Sequence, residues 1–225
     1  MREDIEMKRI SPQDLEEIIE LDVVNRGGHS VIDGTQREET LFNIWARGMD
    51  SECRRLNIPP NWIKDSFNWG PHPWPISMTD LLKSRIADCG AYQDLATRTI
   101  KLRGAEAFPV QVFLEFPNEP HSGWSGLWRS AGLDYHWGNG KIAYHELTGI
   151  LQENNQLQLY DPAEAIFPFP ISTSRTHSAM IELRICSPYG EEESLRGREF
   201  TIQDSNGKLH EDIKIDQWYH LYSSQ

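Results

Sequence analysis

Three side chains of this sequence could share one reaction: the thiol of Cys89, the imidazole of His145 and the carboxylate of Asp161. A thiolate attacks an amide or thioester carbonyl, an imidazole takes and returns the proton, and a carboxylate holds the imidazole in one tautomer. The reaction would pass through a thioester on Cys89. It would end on water, as in a protease or deamidase, or on an amine, as in a cross-linking or amide-forming transferase. His136 is the alternative base, and it falls in a long loop where His145 falls in an expected strand. A strand positions a base better than a loop does, so His145 is preferred.

Cys89 stands where a helix should begin. Asp88 is a good N-cap, apolar or larger side chains recur at Tyr92, Leu95, Ala96, Thr99 and Ile100, and Gly104 closes the run. Backbone N–H groups at a helix start favour an anion, which would make the thiol easier to ionise. Downstream, 107–116, 141–151 and 156–162 read as strands, the last two joined by a turn through Gln152–Asn155. The turn decides whether His145 and Asp161 meet. A loop centred on Glu153 pairs them directly, and one centred on Asn154 makes them diagonal neighbours on one face. A loop centred between Asn154 and Asn155 puts them on opposite faces. Glu146 should point to the other face from His145, and it receives no chemical role.

The succession Ala87-Asp88-Cys89, Leu102-Arg103-Gly104, Tyr144-His145-Glu146-Leu147 and Tyr160-Asp161-Pro162 resembles the transglutaminase-like superfamily of papain-like thiol enzymes, over roughly residues 78–163. The tryptophan those proteins usually carry two residues after the histidine is Leu147 here. The resemblance implies an α+β fold, with N-terminal helices and the nucleophile at a helix start packed on an antiparallel sheet. It also implies a Cys89, His145, Asp161 triad and an upstream aromatic residue at the oxyanion hole or cleft, for which Trp69 and Trp74 are candidates. His136 and Trp137 would line the cleft. A second reading keeps the fold without the chemistry, as a catalytically inactive binding module.

The remaining sequence sets limits. The 225 residues suit a single domain, read as N-terminal helices over 1–58, a catalytic core over 76–163 and a β-rich extension over 164–225. Helices are expected from Ser11 to about Asn25 and from Thr35 to Leu56, the second burying Leu41, Ile44, Trp45, Met49, Cys53 and Leu56. A short helix should follow Ser77 to about Arg85, and 59–75 is too rich in proline for a regular element. Further strands are expected at 177–185, 199–202 and 213–221. Arg184, Cys186, His177, His210 and His220 then read as ordinary surface or core residues.

A net charge of −12 with no basic tract argues against nucleic acid or an anionic membrane as partner, and is compatible with a peptide, protein or acyl-thioester substrate. Three cysteines fit neither a paired disulfide framework nor a zinc site, so no metal and no cofactor is expected and the chain reads as cytoplasmic.

Overall fold

Five strands of one antiparallel sheet lie side by side, and a sixth joins at a hairpin. In the computed structural model the described residues are 35–50, 59–70, 72, 75–115, 138–139, 142–171, 179–188 and 190–221. In chain order the elements are α1 (Gln36–Asp50), α2 (Trp62–Ser66), β1 (Asn68–Trp69), α3 (Met78–Ser84), β2 (Ile86–Ala87) and α4 (Cys89–Leu102). Then come β3 (Ala107–Glu115), β4 (Gly138–Asn139), β5 (Ile142–Leu151), β6 (Leu157–Tyr160), β7 (Ala179–Ile185), α5 (Glu192–Leu195), β8 (Glu199–Gln203), β9 (Leu209–Lys214) and β10 (Trp218–His220). The sheet order is β10-β7-β3-β5-β4, with β6 pairing β5. The architecture is α+β. The expected helix from Ser11 to Asn25 lies outside the described residues.

Local chemistry sets the boundaries of the helices near the sheet. The Ser77 hydroxyl accepts from the Asp80 N–H at 3.0 Å and donates to the Asp80 carboxylate at 2.7 Å, which starts α3. The Asp88 carboxylate accepts from the Ala91 N–H at 2.9 Å and starts α4 at Cys89. Gly104, at φ +87°, lets the chain turn out of α4.

Alternation along β5 assigns its two faces. Tyr144, Glu146 and Thr148 face α4, where Thr148 contacts Thr97 at 3.2 Å. On that side Phe42, Leu81, Tyr92, Leu95, Ile100 and Tyr160 form one apolar cluster. On the other face Val110, Val112, Leu147 and Leu183 pack with Phe200, Ile202 and Ile213 of the β8–β9 hairpin.

Three expectations need correction. The buried stripe of α1 is carried by Phe42 and Ala46, with Leu41 and Trp45 partly buried, while Ile44 and Met49 are 66% and 42% exposed. The helix is therefore rotated relative to the expected stripe, because packing around Trp45, Trp62 and Phe67 decides which residues are covered. The proline-rich stretch does hold regular structure: its prolines flank α2, and β1 pairs in parallel with β2, Trp69 opposite Ala87. The expected strand 213–221 is divided by a turn in which Asp216 takes φ 60°. Its carboxylate accepts from the Ser187 N–H at 2.9 Å and from the Ser187 hydroxyl at 2.6 Å, and this holds the chain reversal in place.

An added Cβ at Gly104 would meet no atom, so any penalty there is conformational. Gly104→Ala should lower unfolding free energy by about 1–2 kcal/mol, and Gly104→Asn by less. Equal stability of the three proteins in urea denaturation would contradict a required left-handed residue.

Candidate functional site

The β5–β6 turn contains Glu153, Asn154 and Asn155, with Asn155 at φ 58°. Thr148 pairs Tyr160 and Gly149 pairs Leu159, so the hairpin is centred on Asn154. Asp161 and His145 therefore project from one face as diagonal neighbours. The imidazole Nε2 lies 2.9 Å from Asp161 Oδ2. The chain leaves β6 at Asp161-Pro162, and Asp161 Oδ1 accepts from the N–H groups of Ala163 and Glu164 at 3.0 and 3.2 Å. The carboxylate is thus fixed by its own backbone turn and spends one oxygen on the imidazole. This leaves Nδ1 as the ring nitrogen able to exchange a proton with a ligand.

Cys89 reaches the same strand by a different route. The Gln152 N–H bonds to Gln156 O across the hairpin, whereas the Leu151 N–H bonds to Glu106 O on the opposite side. Even-numbered N–H groups of β5 therefore point toward β6. β6 pairs residues 148–151 and β4 pairs 142–143, so the edge over 144–147 has no strand neighbour among the described residues. The Glu146 N–H points into that gap and bonds to the Cys89 sulfur. The thiol lies against the peptide that follows His145, at the mouth of α4.

Glu146, given no role from sequence, is fully buried on the α4 face. Its Oε1 accepts the Tyr144 hydroxyl at 2.6 Å, and the Gln111 side-chain amide donates to that same hydroxyl at 2.9 Å. The Cys186 thiol donates to Gln111 Oε1 at 3.5 Å. The legible signal for this network is a carboxylate at an inward position of the alternation Tyr144, Glu146, Thr148. Cys186, a core residue as expected, and Glu146 thus belong to one buried polar network. His220 is likewise engaged, with Nδ1 2.5 Å from Glu182 Oε1. His210 lies buried 3.2 Å from Asp204.

These charges determine protonation. Burial pushes the Cys89 thiol well above its ordinary value, the carboxylates of Asp88, Glu146 and Asp161 push it further, and the Glu146 N–H opposes them only in part. The helix start was expected to favour a thiolate; three nearby carboxylates and desolvation reverse that. Cys89 is a neutral thiol. For His145, burial acts against the imidazolium, but the Asp161 charge and hydrogen bond outweigh it and the net shift is upward. Burial would raise Asp161, yet His145 and the two backbone donors hold its carboxyl below the usual range.

Of the other candidates, Trp69 sits in register with Ala87, just upstream of Asp88, and is partly buried against the α4 cluster. Trp74, His136, Trp137, His177 and Cys53 lie outside the described residues. His72, buried and not singled out from sequence, places Nε2 3.1 Å from Asp88 Oδ1 and so touches the cap of α4. Among the described residues no three His, Cys, Asp or Glu side chains gather as a metal site. No helix among them is long and apolar enough to cross a membrane.

Asp161→Asn should lower the His145 ring pKa, because burial remains while the opposing charge is lost. A raised folded pKa stabilises the protein below the unfolded histidine value, and that contribution disappears as pH rises through the folded one. The stability gap between wild type and Asp161→Asn should therefore narrow on going from about pH 6 toward alkaline pH. Imidazole proton shifts followed by NMR, with urea melts across that range, check both; an unmoved His145 titration would contradict the coupling.

A curated protein described as "Probable chorismate pyruvate-lyase", from Pseudomonas aeruginosa (strain UCBPP-PA14), is 26% identical to this chain over 154 residues. The match covers 65% of this chain and 84% of that protein. No family model matches the chain, and no solved structure does. The resemblance to transglutaminase-like enzymes is thereby overturned, and with it the thiol hydrolase or acyltransferase reading and its inactive-module variant: the similarity found is to a lyase. The neutral state of Cys89 agrees with that correction. The short motifs that suggested the resemblance describe a helix start, a helix end and a hairpin, elements that unrelated folds share.

Proposed function

We propose that this protein is a lyase that releases an α-keto acid such as pyruvate from a small-molecule ether, with His145 and Asp161 moving the proton. The match to the pseudomonal lyase carries the reaction class. The buried His145–Asp161 pair supports the assignment of the proton-transfer group. In such an elimination a base takes a proton from carbon, the freed electron pair forms a new C=C bond, and the adjacent C–O bond breaks. The departing oxygen leaves as an enolate, which takes a proton on carbon to become the keto acid.

His145 Nδ1 is the proposed base. Asp161 holds Nε2, fixes the tautomer and stabilises the imidazolium once the proton arrives. Cys89, as a neutral thiol bonded to the Glu146 N–H, contributes a wall and a weak donor beside the reacting atoms rather than an attacking group. Trp69, held next to the start of α4 by the β1–β2 pairing, is proposed as a further wall.

Purified protein should release pyruvate from chorismate in a coupled assay. His145→Ala should lose about 10²- to 10⁴-fold in kcat, the usual worth of a positioned base. Asp161→Asn should lose activity through the tautomer. Cys89→Ala should stay within about tenfold of wild type, since a displaced neutral donor is worth roughly one ordinary hydrogen bond. No pyruvate release from chorismate, or a Cys89→Ala loss as deep as that of His145→Ala, would overturn the assignment.

A further inference from the structure

We propose that residues 11–25 dock as an amphipathic helix on the outward face of α1, antiparallel to it, in the groove that α1 forms with the start of α3. By helical spacing Arg37, Thr40, Ile44, Arg47 and Gly48 form one row on that face, and all five are exposed. Arg37, Leu41, Ile44 and, from α3, Thr79 line an open groove of about 570 Å³. Ile44 stands in the middle of it at 66% exposure, while Phe42 and Ala46 already close the inward face of the helix. The Thr40 hydroxyl donates to Gln36 O at 2.8 Å and the Thr79 hydroxyl to Glu38 Oε1 at 3.0 Å, so both threonines offer methyl groups rather than donors. An added Cβ at Gly48 would meet nothing within 4 Å. A glycine weakens a helix, and at an outward position it leaves room for a second helix backbone to come close.

Charge identifies the occupant. Glu38 and Glu39 of α1 are taken up by the Thr79 N–H and by Arg98, at 2.9 and 2.7 Å. The outward row therefore carries two arginines and no acid, in a chain of net charge −12. A second copy docked antiparallel through the same face would set arginine against arginine. Residues 11–25 complement the row instead. They contain Asp14, Glu16, Glu17, Glu20 and Asp22 and neither Lys nor Arg, and Leu15, Ile18, Ile19 and Val23 recur at helical spacing.

The connection has the length this placement needs. Residues 26–34, with glycines at 27, 28 and 34, join the segment to α1. Nine extended residues reach about 30 Å, more than the roughly 22 Å length of α1, so the chain can double back. With Asn25 beside Gln36, an antiparallel pair sets Ile18 within one residue of the level of Ile44. It also sets Asp14 level with Arg47 and Asp22 within one turn of Arg37. A short tether keeps the segment near α1 at roughly millimolar effective concentration, so modest contacts suffice.

Hydrogen exchange of the full chain, read by mass spectrometry, tests the contact. Amides over 15–24 should exchange at least about tenfold more slowly than an unstructured chain, and at an unchanged rate after about tenfold dilution of the protein. Ile44→Glu should return them to the unstructured rate while the amides of α4 and β5 keep theirs, because Ile44 lies on the outward side of α1. Unprotected amides over 15–24 in the wild type, or protection that survives Ile44→Glu, would overturn the proposal. Protection lost on dilution would assign the contact to a second copy and overturn it as well. If Ile44→Glu disturbs α4 and β5, Arg47→Glu decides: faster exchange over 15–24 supports the docking, and unchanged exchange overturns it.

Discussion

The contact between His145 and Asp161 is the constraint around which this part of the protein is arranged. Neither group tolerates burial alone: an isolated carboxylate or imidazolium in a sheet interior would shift its pKa and discharge. Together they are held at 2.9 Å, and the second carboxylate oxygen is occupied by two backbone donors from the turn after Pro162. The end of β6, the departure of the chain at Asp161 and the diagonal placement on the hairpin all serve that arrangement. Because β6 stops there, the neighbouring edge of β5 stays open, and the start of α4 occupies the opening.

Helix starts are commonly associated with reactive cysteines, yet the field at Cys89 runs the other way. The partial positive charge of the first turn is set against the full charges of Asp88, Glu146 and Asp161 and the loss of solvent. Asp88 is both the cap that makes the helix begin at Cys89 and the strongest of those charges on the thiol. The feature that creates the helix start therefore removes the acidity that a helix start would confer. An enzyme that needs a proton-transfer imidazole and no thiolate is consistent with this balance.

Much of the scaffold was legible in the sequence. Asp88 and Gly104 marked the ends of α4, Ser77 marked the start of α3, and alternation located β3, β5 and β6 to within a residue or two. The hairpin parity was open from sequence, since it depends on whether the turn holds an odd or even number of residues, and Gln152–Asn155 allows either. The rotation of α1 was not legible, because Leu41, Phe42, Ile44 and Trp45 offer two overlapping apolar stripes and only the rings packed against them choose between the two. Glu146 was passed over for a related reason: a charged residue at an inward strand position looks like surface until the face is known. The reaction class was misread because short motifs around Cys89, His145 and Asp161 record geometry rather than ancestry.

The turn at Glu153–Asn155 has a consequence for how this protein can vary. Its side chains can change freely wherever the backbone conformation is kept, as at most solvent-facing turns. Its length cannot change by one, because a single inserted or deleted residue shifts the parity of everything beyond it and sends Asp161 to the face opposite His145. Loops ordinarily absorb insertions more readily than the elements they connect. This one should accumulate substitutions while excluding single-residue insertions and deletions, so that a gap there, rather than a change at either partner of the ion pair, would mark a descendant in which the two side chains no longer meet.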